Sequence, residues 1–585
     1  MQSYVYGSAN RLQTLASPAG TFTYFYNPGL AGTTSSSSLV AKIALPNGAF
    51  ITNTYDDNAR MLGTWLKNSG ATNLDSGVYT YNVGNQRIVE DRASLGHVNE
   101  VDYGYDPIGQ LTSDSAVDLA MAAPPTNRLN EQLYYGYDPA GNLAFRTNNA
   151  LVQNFAVNSL NELTSNETSG TLTVMGTTTS KATNVTVNSS NALLYNAATN
   201  MPLTTTYTAI AQDSYGRSAT NSVTVNLATN VTFQYDVNGN LINDGLRNFT
   251  YDDENQMIQV WVPDQWFSQF GYDGKMRRRI RQEFTWQGGA WVQTNEVYYV
   301  YDGNLVIQER DINNLPTTTY TRGLDLSGSL QGAGGIGGLL ARTAQSYVDA
   351  PMAGHAFYHT DGNGNITMLI NSSQAIVAKY LYDAFGNVLS KSGLLADANV
   401  YQFSSKEKDL NSGMVYYLYR YYDPNLQRWP NRDPLGEPGF DLARTLQFSL
   451  GSTWSDIQIQ RHKELLARLG FISLNLAGSP LLGDGPNKYA FERNDPLLFI
   501  DPDGRTAAGC LSSLAWCVGG TMLAFPACNP FTGWLTCGGT ILAGPVAGCL
   551  SAYDACNQYC AANPSLPGTM GKDPTTGQPI IGVTF

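Results

Sequence analysis

Aromatic residues are concentrated in short stretches along the chain, and each stretch ends at a Tyr-Asp pair that turn-forming residues follow. The stretch Tyr103-Gly-Tyr-Asp-Pro-Ile-Gly-Gln-Leu111 recurs 32 residues later as Tyr135-Gly-Tyr-Asp-Pro-Ala-Gly-Asn-Leu143. Shorter copies begin at Tyr235, Tyr301 and Tyr382. Because aromatic side chains suit the pleated surface of a strand and a repeated unit indicates a repeat architecture, the pattern predicts a long series of strands.

Each copy of this unit predicts a β-hairpin. Asp138 and Pro139 suit the first two positions of a type I turn, and Gly141 suits the position after it. Leu143 then opens the returning strand. A lone hairpin cannot bury its aromatic face, so successive hairpins are expected to pair edge to edge into one long continuous sheet that coils on itself.

The composition supports a fold made mainly of β-strands. The 585 residues include 35 tyrosines and 57 glycines, which favour strands and tight turns over helices. Hydrophobic residues make up 42% of the chain, which excludes an intrinsically disordered protein. The length is too great for one ordinary core, so several domains or an extended repeat array are expected.

Two segments interrupt the repeats. Residues 163–229 lose the Tyr-Asp pairs and alternate Thr, Ser or Asn with Val, which predicts a small antiparallel β-sandwich, an immunoglobulin-like insertion. Residues 437–485 hold apolar positions at helical spacing between Ser455, which can cap a helix, and Gly470, which can end one. An amphipathic helix is therefore expected in the second segment.

The C-terminal segment, residues 505–585, differs in composition from the rest of the chain. Residues 506–553 carry no charge and contain two apolar stretches, which predict a short α-helical hairpin that packs closely or enters a bilayer. The cysteine spacings place sulfurs on single helix faces, which allows disulfides outside a reducing cytosol. All seven cysteines lie here: Cys510, Cys517, Cys528, Cys537, Cys549, Cys556 and Cys560.

The charge distribution argues against nucleic acid as a partner. The chain has 34 Lys and Arg against 47 Asp and Glu, and its net charge of −13 repels phosphate backbones. A basic run places Arg277, Arg279 and Arg281 on one face of a strand, as expected for a solvated outer wall. The four histidines form no recognisable metal-ligand motif, so neither a metal nor a cofactor is expected.

The most specific motifs lie near the end of the repeats. Residues 413–436 contain Tyr-Tyr-Asp-Pro and end in Asp433-Pro-Leu-Gly436, and residues 487–504 end in Asp501-Pro-Asp-Gly504. Together with the Tyr-Asp units, these paired Asp-Pro-x-Gly motifs resemble the YD repeats and the associated core domain of Rhs (rearrangement hot spot) and teneurin-like proteins. In that family the repeats wind into a large hollow β-shell.

The resemblance implies a division of the chain into a shell, a core domain and a variable end. YD repeats are expected over 1–162 and 230–400, on both sides of the sandwich insertion at 163–229. The core domain is expected over 401–504, interrupted by the helical insertion, and the variable segment over 505–585.

In related proteins the core domain closes the shell and acts as a self-cleaving aspartyl protease that severs the segment after it. The resemblance assigns the carboxylate pair to Asp433 and Asp501 and places Arg432 beside the first. Two adjacent carboxylates cannot both ionise cheaply, so one is expected to keep its proton as the acid while the other activates water. The other motif residues are Pro434, Gly436, Pro502 and Gly504, and the expected cleavage region is Gly504 and Arg505.

This sequence departs from the family pattern at two points. The family usually has leucine after the second Asp-Pro-x-Gly motif and is cut beyond it, whereas this chain has Arg505. The insertion at 437–485 also lengthens the spacer between the two aspartates. Autoproteolysis therefore stays open against the alternative that Asp433 and Asp501 merely begin structural turns.

The resemblance implies a carrier of polymorphic toxin systems, whose shell encloses or presents its own C-terminal segment as an effector. The alternative is a secreted or cell-surface interaction protein without catalytic activity. A bacterial secreted or surface location is expected, with no signal peptide visible after Met1. The implied partners are a target-cell membrane or surface and an immunity or delivery protein.

Overall fold

The structure is a computed structural model that describes most of the chain up to residue 505. The described residues are 2–7, 9–26, 37–94, 97–119, 124–174, 183–187, 190–192, 199–201, 204–345, 354–434 and 487–505. The expected helix at 437–485, the C-terminal helical hairpin and all seven cysteines lie outside them. The described residues form thirty-eight β-strands and no α-helix, so the prediction of a mainly β protein is confirmed.

The first large sheet contains fifteen antiparallel strands, and consecutive strands are neighbours apart from one jump from β14 to β21. Its strands are β1 (Ser3–Tyr6), β2 (Leu12–Ser17), β3 (Gly20–Tyr26), β4 (Val40–Ala44), β5 (Phe50–Tyr55), β6 (Met61–Lys67), β7 (Asn73–Tyr81), β8 (Arg87–Ser94), β9 (His97–Tyr105), β10 (Leu111–Asp118), β11 (Thr126–Tyr137), β12 (Leu143–Asn148), β13 (Leu151–Val157), β14 (Leu163–Gly170) and β21 (Asn230–Thr232).

The second large sheet contains fourteen strands, all in chain order. Its strands are β22 (Gln234–Tyr235), β23 (Leu241–Asn243), β24 (Asn248–Tyr251), β25 (Met257–Val262), β26 (Trp266–Tyr272), β27 (Arg278–Gln287), β28 (Ala290–Asp302), β29 (Leu305–Arg310), β30 (Pro316–Arg322), β31 (Leu339–Ala344), β32 (Gly354–Thr360), β33 (Ile366–Asn371), β34 (Ile376–Tyr382) and β35 (Val388–Ser392).

The Tyr-Asp units form hairpins, as the sequence predicts, and the unit at Tyr137 shows why. Asp138 Oδ1 accepts the backbone N–H groups of Ala140 and Asn142, at 2.9 and 2.8 Å. The Gly141 N–H donates to the Asp138 carbonyl at 2.9 Å, and the φ of Gly141 is +76°, where glycine is favoured. The aspartate carboxylate thus shapes the turn from within the repeat itself.

The tyrosine of each unit joins its hairpin to the preceding one. Tyr137 pairs with Leu143 across a β-bulge, and its hydroxyl donates to the backbone carbonyl of Leu111 at 2.8 Å. Leu111 is the residue that pairs with Tyr105 at the bulge of the preceding hairpin. Tyr105 in turn donates to the carbonyl of Arg87 at 2.6 Å. The repeated Tyr-Asp pair therefore combines a turn-shaping carboxylate with a hydroxyl that links neighbouring hairpins.

The expectation of one continuous sheet needs correction, because the repeats form two sheets. The first ends with β21 and the second begins with β22, so only Phe233 lies between them. The Phe233 N–H still donates to the Thr164 carbonyl, at 3.1 Å. The change of sheet occurs directly after the chain re-enters from the insertion. Within the second set of repeats the sheet is continuous, as predicted.

The two large sheets share a buried core. Early strands of the first sheet pack against β31 to β33 of the second, and the rings of Phe22 and Phe357 have their centroids 6.0 Å apart. A polar contact also joins these parts of the two sheets: His359 Nδ1 of the second sheet lies 2.9 Å from Asp75 Oδ2 of the first. The second sheet therefore returns along the first, and its late strands lie beside the early strands.

The insertion leaves and rejoins the first sheet at neighbouring strands, because β14 pairs directly with β21. Residues 163–170 belong to the large sheet, and the strands of the insertion lie beyond them. They form one sheet of two strands and one of four: β15 (Leu172–Val174) with β18 (Thr199–Met201), and β16 (Asn184–Val187), β17 (Ser190–Ala192), β19 (Thr204–Gln212) and β20 (Ser218–Asn226). The immunoglobulin-like character stays a prediction.

Residues 401–434 and 487–505 form a compact segment against the two sheets. It contains three short strands, β36 (Glu407–Lys408), β37 (Val415–Tyr416) and β38 (Tyr421–Tyr422), and two single turns of 3-10 helix. An aromatic cluster forms its centre, where the Tyr422 and Phe491 rings stack at 3.6 Å. Phe491 follows the insertion in sequence, so this stack joins the two halves of the segment.

The basic run is not the solvated wall that strand alternation predicts. A β-bulge makes Arg279 an extra residue in β27, because Gly271 pairs with Ile280 while Tyr272 pairs with Arg278. The bulge changes which face each arginine occupies, and Arg278 and Arg281 are both buried. Both contact Glu407 of the compact segment, at 2.5 and 3.1 Å.

Candidate functional site

Asp433 and Asp501 both lie in the interior of the compact segment. Their residues are 4% and 1% exposed. The Asp433 N–H donates to the Lys488 carbonyl at 3.1 Å, and the Asp501 N–H donates to Glu492 Oε1 at 2.8 Å. The first bond joins the two sides of the insertion at 437–485, and the second holds the Asp501 backbone to Glu492, which also follows the insertion.

One buried guanidinium brings the two aspartates together. Arg420 Nη2 lies 3.0 Å from Asp433 Oδ2 and 3.6 Å from Asp501 Oδ2. The Arg420 side chain is fully buried, and its guanidinium carbon lies 4.0 Å from the centre of the Trp429 ring. Packing on the indole holds the planar guanidinium in one orientation, so both carboxylates converge on the same nitrogen atom.

The second Asp-Pro-x-Gly motif wraps around the Asp501 carboxylate. Asp501 Oδ1 accepts the backbone N–H groups of Asp503, Gly504 and Arg505, at 3.2, 2.8 and 3.1 Å. The φ of Gly504 is +83°, a conformation that glycine adopts without strain. The Gly504 carbonyl turns toward the interior and accepts a hydrogen bond from Arg420 Nε. The backbone of the expected cleavage region is therefore in direct contact with the Asp501 carboxylate and with Arg420.

A partly buried lysine and a glycine-rich loop hold the same turn from its other side. Lys406 Nζ donates to the carbonyls of Pro502 and Gly334, at 2.6 and 2.8 Å. Burial lowers the pKa of the Lys406 ammonium to about 8, and the nearby Asp503 and Asp501 oppose that shift. A Cβ on Gly334 would lie 1.9 Å from the Pro502 oxygen, so only glycine permits this approach.

The two carboxylates meet one buried guanidinium, and the Lys406 ammonium holds the turn of Asp501 from its other side. Where two carboxyl groups share one site, one of them can hold a proton while the other is ionised. Such a pair is the arrangement that proton transfer at a neighbouring peptide bond requires.

The structure places the sequence-predicted residues as follows. Asp433, Pro434, Asp501, Pro502, Gly504 and Arg505 lie together in the compact segment, whereas Gly436 is outside the described residues. Arg432 is exposed, and its side chain lies against Gly239. The guanidinium between the aspartates is that of Arg420, which the sequence reasoning did not single out.

A signal for Arg420 does exist in the sequence. It is the arginine in Tyr417-Leu-Tyr-Arg-Tyr-Tyr422, where aromatic residues surround it on both sides. A cation inside an aromatic run has rings available for stacking and is a candidate for burial. That signal does not say which carboxylates the arginine faces, since those lie 13 and 81 residues further along the chain.

A metal centre is one further kind of site to consider among the described residues. Within them, no group of three or more His, Cys, Asp or Glu side chains is arranged to hold a metal ion. Over the same part of the chain, no helix has the length and apolar character needed to cross a membrane.

Comparison with known proteins gives partial matches to bacterial toxins, and no family model matches the chain. The tRNA3(Ser)-specific nuclease WapA of Bacillus spizizenii is 26% identical over 302 residues, which are 49% of this chain and 10% of the relative. The double-stranded DNA deaminase toxin A of Burkholderia cenocepacia is 25% identical over 220 residues, which are 35% of this chain and 15% of that toxin. The chain thus spans about a tenth of the length of the WapA relative.

Among solved structures, the chain is similar to the Photorhabdus luminescens Tc holotoxin pore. The identity is 16% and the TM-score is 0.49, with 86% of this chain and 21% of that chain covered. The hairpins of the Tyr-Asp units, the two large sheets and the toxin relatives confirm the resemblance to YD-repeat proteins of the Rhs type that the motifs indicate.

Proposed function

We propose that this protein is an Rhs-type carrier that cuts its own chain beside Gly504 and so separates the C-terminal segment, residues 505–585. Asp433 and Asp501 act as the aspartyl pair of a single intramolecular reaction. The observation that supports this is the convergence of both carboxylates on Arg420, at 3.0 and 3.6 Å, next to the Gly504 backbone.

A purely structural role for the two aspartates is the alternative. The chain contains two further Asp-Pro-x-Gly turns, at Asp106 and Asp138, whose Oδ1 atoms shape the turn. The turn at Asp501 uses the same contacts with its Oδ1 atom, and its Oδ2 atom additionally reaches the buried Arg420. A shared buried arginine, Arg247, also joins Asp244 to Asp423, so the proposal is supported by the position of Arg420 beside the Gly504 backbone and not by the ion pairs alone.

Intact-mass analysis of the purified full chain under denaturing conditions tests the proposal. Cleavage separates a tail of about 80 residues from the 63.5 kDa chain. Asp433→Asn and Asp501→Asn are each expected to abolish the split, because an amide can neither take up nor supply the proton. Asp106→Asn is the matched control, since it changes the same motif away from the pair and should leave cleavage intact.

A wild-type chain that stays a single species after prolonged incubation would contradict the proposed cleavage. The compact segment would then serve only as a cap, and a secreted or surface interaction protein would be the better reading. A split that persists in both the Asp433 and Asp501 variants would assign the reaction to other residues.

The names of two relatives support the proposed carrier role. The matched relatives are named as a tRNA nuclease and a DNA deaminase toxin. We propose that the segment after Gly504 is the corresponding effector, delivered from a secreted or surface-bound shell to a target cell, with an immunity or delivery protein as partner. Native size-exclusion chromatography after cleavage tests enclosure, because an enclosed tail co-elutes with the shell and a free tail does not.

A further inference from the structure

We infer that the outer face of the second sheet binds a neutral, linear glycan across strands β24 to β28. The surface consists of two neighbouring rows of side chains, one polar and one aromatic, which the register of these five strands builds. The inference goes beyond the proposed function, because it involves neither the compact segment nor the cut beside Gly504. An uncleaved chain would bind the glycan in the same way.

The polar row crosses all five strands at one level. Its members are Thr250, Gln259, Gln269, Gln282 and Glu296, and each pairs with the next. Directly paired residues lie on the same face of a sheet, so these side chains form a row of about 19 Å at the usual strand spacing. Over the described part of the chain, the side-chain amides of Gln259 and Gln269 have no hydrogen-bond partner, which leaves them available to a ligand.

The aromatic row lies beside the polar row, two residues away along β24 to β27. Its members are Asn248, Trp261, Phe267, Phe284 and Gln293, and each again pairs with the next. Because side chains two apart on a strand share a face, the two rows run side by side about 7 Å apart. Phe267 and Phe284 stack, with their ring centroids 4.1 Å apart.

Trp291 extends the aromatic row toward solvent. Its ring centroid lies 5.0 Å from that of Phe267 at an interplanar angle of 82°, and the residue is 37% exposed. Trp286, which pairs with Trp291, contacts it from β27, also at 5.0 Å. The neighbouring rings therefore brace a large aromatic side chain that solvent reaches. A held ring with an exposed surface is what a stacking ligand requires.

The two rows face outward and carry almost no charge. The residues between them along the strands point inward, and Val260 and Ser268 are fully buried. Among the members of both rows, only Glu296 is a charged residue. Its Oε2 atom accepts hydrogen bonds from Gln282 and Gln293, at 2.9 and 2.5 Å. The carboxylate thus orients two amides at one end of the rows.

The outer face of the first sheet has a different character. There Asp91 pairs with Glu100 across β8 and β9, while the next residue, Val101, is fully buried. Charged side chains of this kind keep an outer face soluble and without partners. An outer face that combines aromatic rings with uncharged polar groups is instead typical of a binding surface.

A neutral glycan matches this combination of groups. The C–H bonds on the face of a pyranose sugar meet the negative face of an aromatic ring, and the sugar hydroxyls bond to amides, which both donate and accept. A single-stranded nucleic acid also stacks on rings, but it needs cations for its phosphates, and neither row contains one. A bilayer would desolvate the glutamines without replacing their hydrogen bonds.

Native affinity electrophoresis of the full chain tests the inference, because the net charge of −13 drives the protein through the gel. The probes are hydroxyethylcellulose and glycol chitin, two soluble neutral polymers of β-linked sugars, and the control is dextran, an α-linked polymer. Retardation by hydroxyethylcellulose alone assigns a glucan, by glycol chitin alone an N-acetylated chain, and by both their shared sugar backbone. Migration that neither polymer changes, or that dextran changes equally, overturns the inference.

Trp291→Ala and Gln269→Ala test the aromatic and the polar parts of the surface separately. Both residues are exposed, so the fold should persist, and thermal midpoints check that it does. Loss of the indole is expected to weaken binding about tenfold, and loss of the amide about threefold. Tyr134→Ala is the matched control, since it removes an exposed ring from β11 of the first sheet and should leave retardation unchanged.

Wild-type retardation in a folded Trp291→Ala or Gln269→Ala chain would overturn the site of two rows. Flotation with neutral phosphatidylcholine vesicles tests the other occupant. Vesicle binding that depends on Trp291, in a chain that neither β-linked polymer retards, would assign the surface to a membrane and contradict the inference. None of these results depends on whether the chain is cut, so the inference and the proposed function fail separately.

Discussion

The compact segment contributes to two buried arginine–carboxylate clusters, among others in the described residues, whose charge patterns differ. At the first, one guanidinium of Arg420 faces the carboxylates of Asp433 and Asp501. At the second, one carboxylate of Glu407 faces the guanidinium groups of Arg278 and Arg281. Both clusters lie at contacts of the compact segment, yet only the first includes a backbone carbonyl of the proposed cleavage region.

The difference shows which cluster can carry chemistry. Glu407 Oε1 accepts hydrogen bonds from Tyr299 at 2.7 Å and from Arg281 at 3.1 Å, and Arg278 lies 2.5 Å from Oε2. Arg281 also lies 3.4 Å from Glu283, so the second cluster is a network of side-chain ion pairs. The first cluster instead connects two carboxylates to a backbone carbonyl through one arginine. The first cluster is therefore suited to catalysis, and the second anchors the compact segment to the second sheet.

Removing the shared carboxylate of the anchor should have the largest effect on stability. Glu407→Ala leaves Arg278 and Arg281 buried without their common partner, which is expected to cost about 3–5 kcal/mol of unfolding free energy. The measurement is chemical denaturation of the uncleaved Asp433→Asn chain with and without the second substitution.

The control for Glu407 is the exposed ion pair of Lys391 and Asp397, whose side chains are 50% and 84% exposed. Asp397→Ala is expected to change the unfolding free energy by less than about 1 kcal/mol, because solvent screens a surface pair. A loss at Glu407 no larger than that at Asp397 would show that the second cluster is not an anchor.

A smaller effect is expected where the glycine-rich loop meets the catalytic turn. Gly334→Ala forces a Cβ into the Pro502 oxygen and must displace the turn that carries Asp501. A misplacement of about 1 Å slows a reaction roughly 100-fold, which is about 2.7 kcal/mol in barrier height. Time courses of self-cleavage measure the rate.

Gly413→Ala is the matched control for this prediction. Gly413 has a φ of +77°, so an alanine there is strained in the left-handed conformation as it is at Gly334, but nothing lies within 4 Å of the added Cβ. The Gly413→Ala chain should cleave at a rate close to that of the wild type. Equal slowing in both variants would mean that strain in the segment, and not the position of the Pro502 turn, limits the reaction.

Features set by local contacts could be predicted from the sequence, and features set by long-range contacts could not. The hairpins were predictable because each Tyr-Asp unit carries its own turn, with Asp138 Oδ1 bonded to N–H groups only two and four residues away. The pairing of Asp433 with Asp501 was predictable only through the family resemblance. Nothing local in either motif distinguishes it from the Asp-Pro-x-Gly turns at Asp106 and Asp138.

The two arginine clusters were not predictable, because their members depend on long-range register. Strand alternation put Arg277, Arg279 and Arg281 on one outer face, and a single bulge at Arg279 moved Arg278 and Arg281 inward instead. Adjacency in sequence likewise favoured Arg432 as the partner of the aspartates. The guanidinium that reaches them comes from Arg420, which is oriented by stacking on Trp429.

The smallest expected effect concerns Asp495, a buried carboxyl group that belongs to neither arginine cluster. Burial raises the pKa of Asp495 to about 7, and its carboxyl group bonds to Gln86 of the first sheet, at 3.4 Å. A raised pKa in the folded state means that stability is greatest when the group is protonated and is lost as the pH rises through about 7. The wild-type fold should therefore be more stable at pH 5 than at pH 8. Asp361 and Asp383 contribute to this pH dependence in the same direction, because burial raises the pKa of each to about 6.

Asp495→Asn isolates the contribution of this one group, because an amide does not titrate. The variant should lose on the order of 2 kcal/mol of the pH dependence between pH 5 and 7 and keep the part that comes from Asp361 and Asp383. The measurement is the unfolding free energy of the uncleaved Asp433→Asn chain at both pH values. An unchanged pH dependence in the variant would show that folding does not raise the pKa of Asp495.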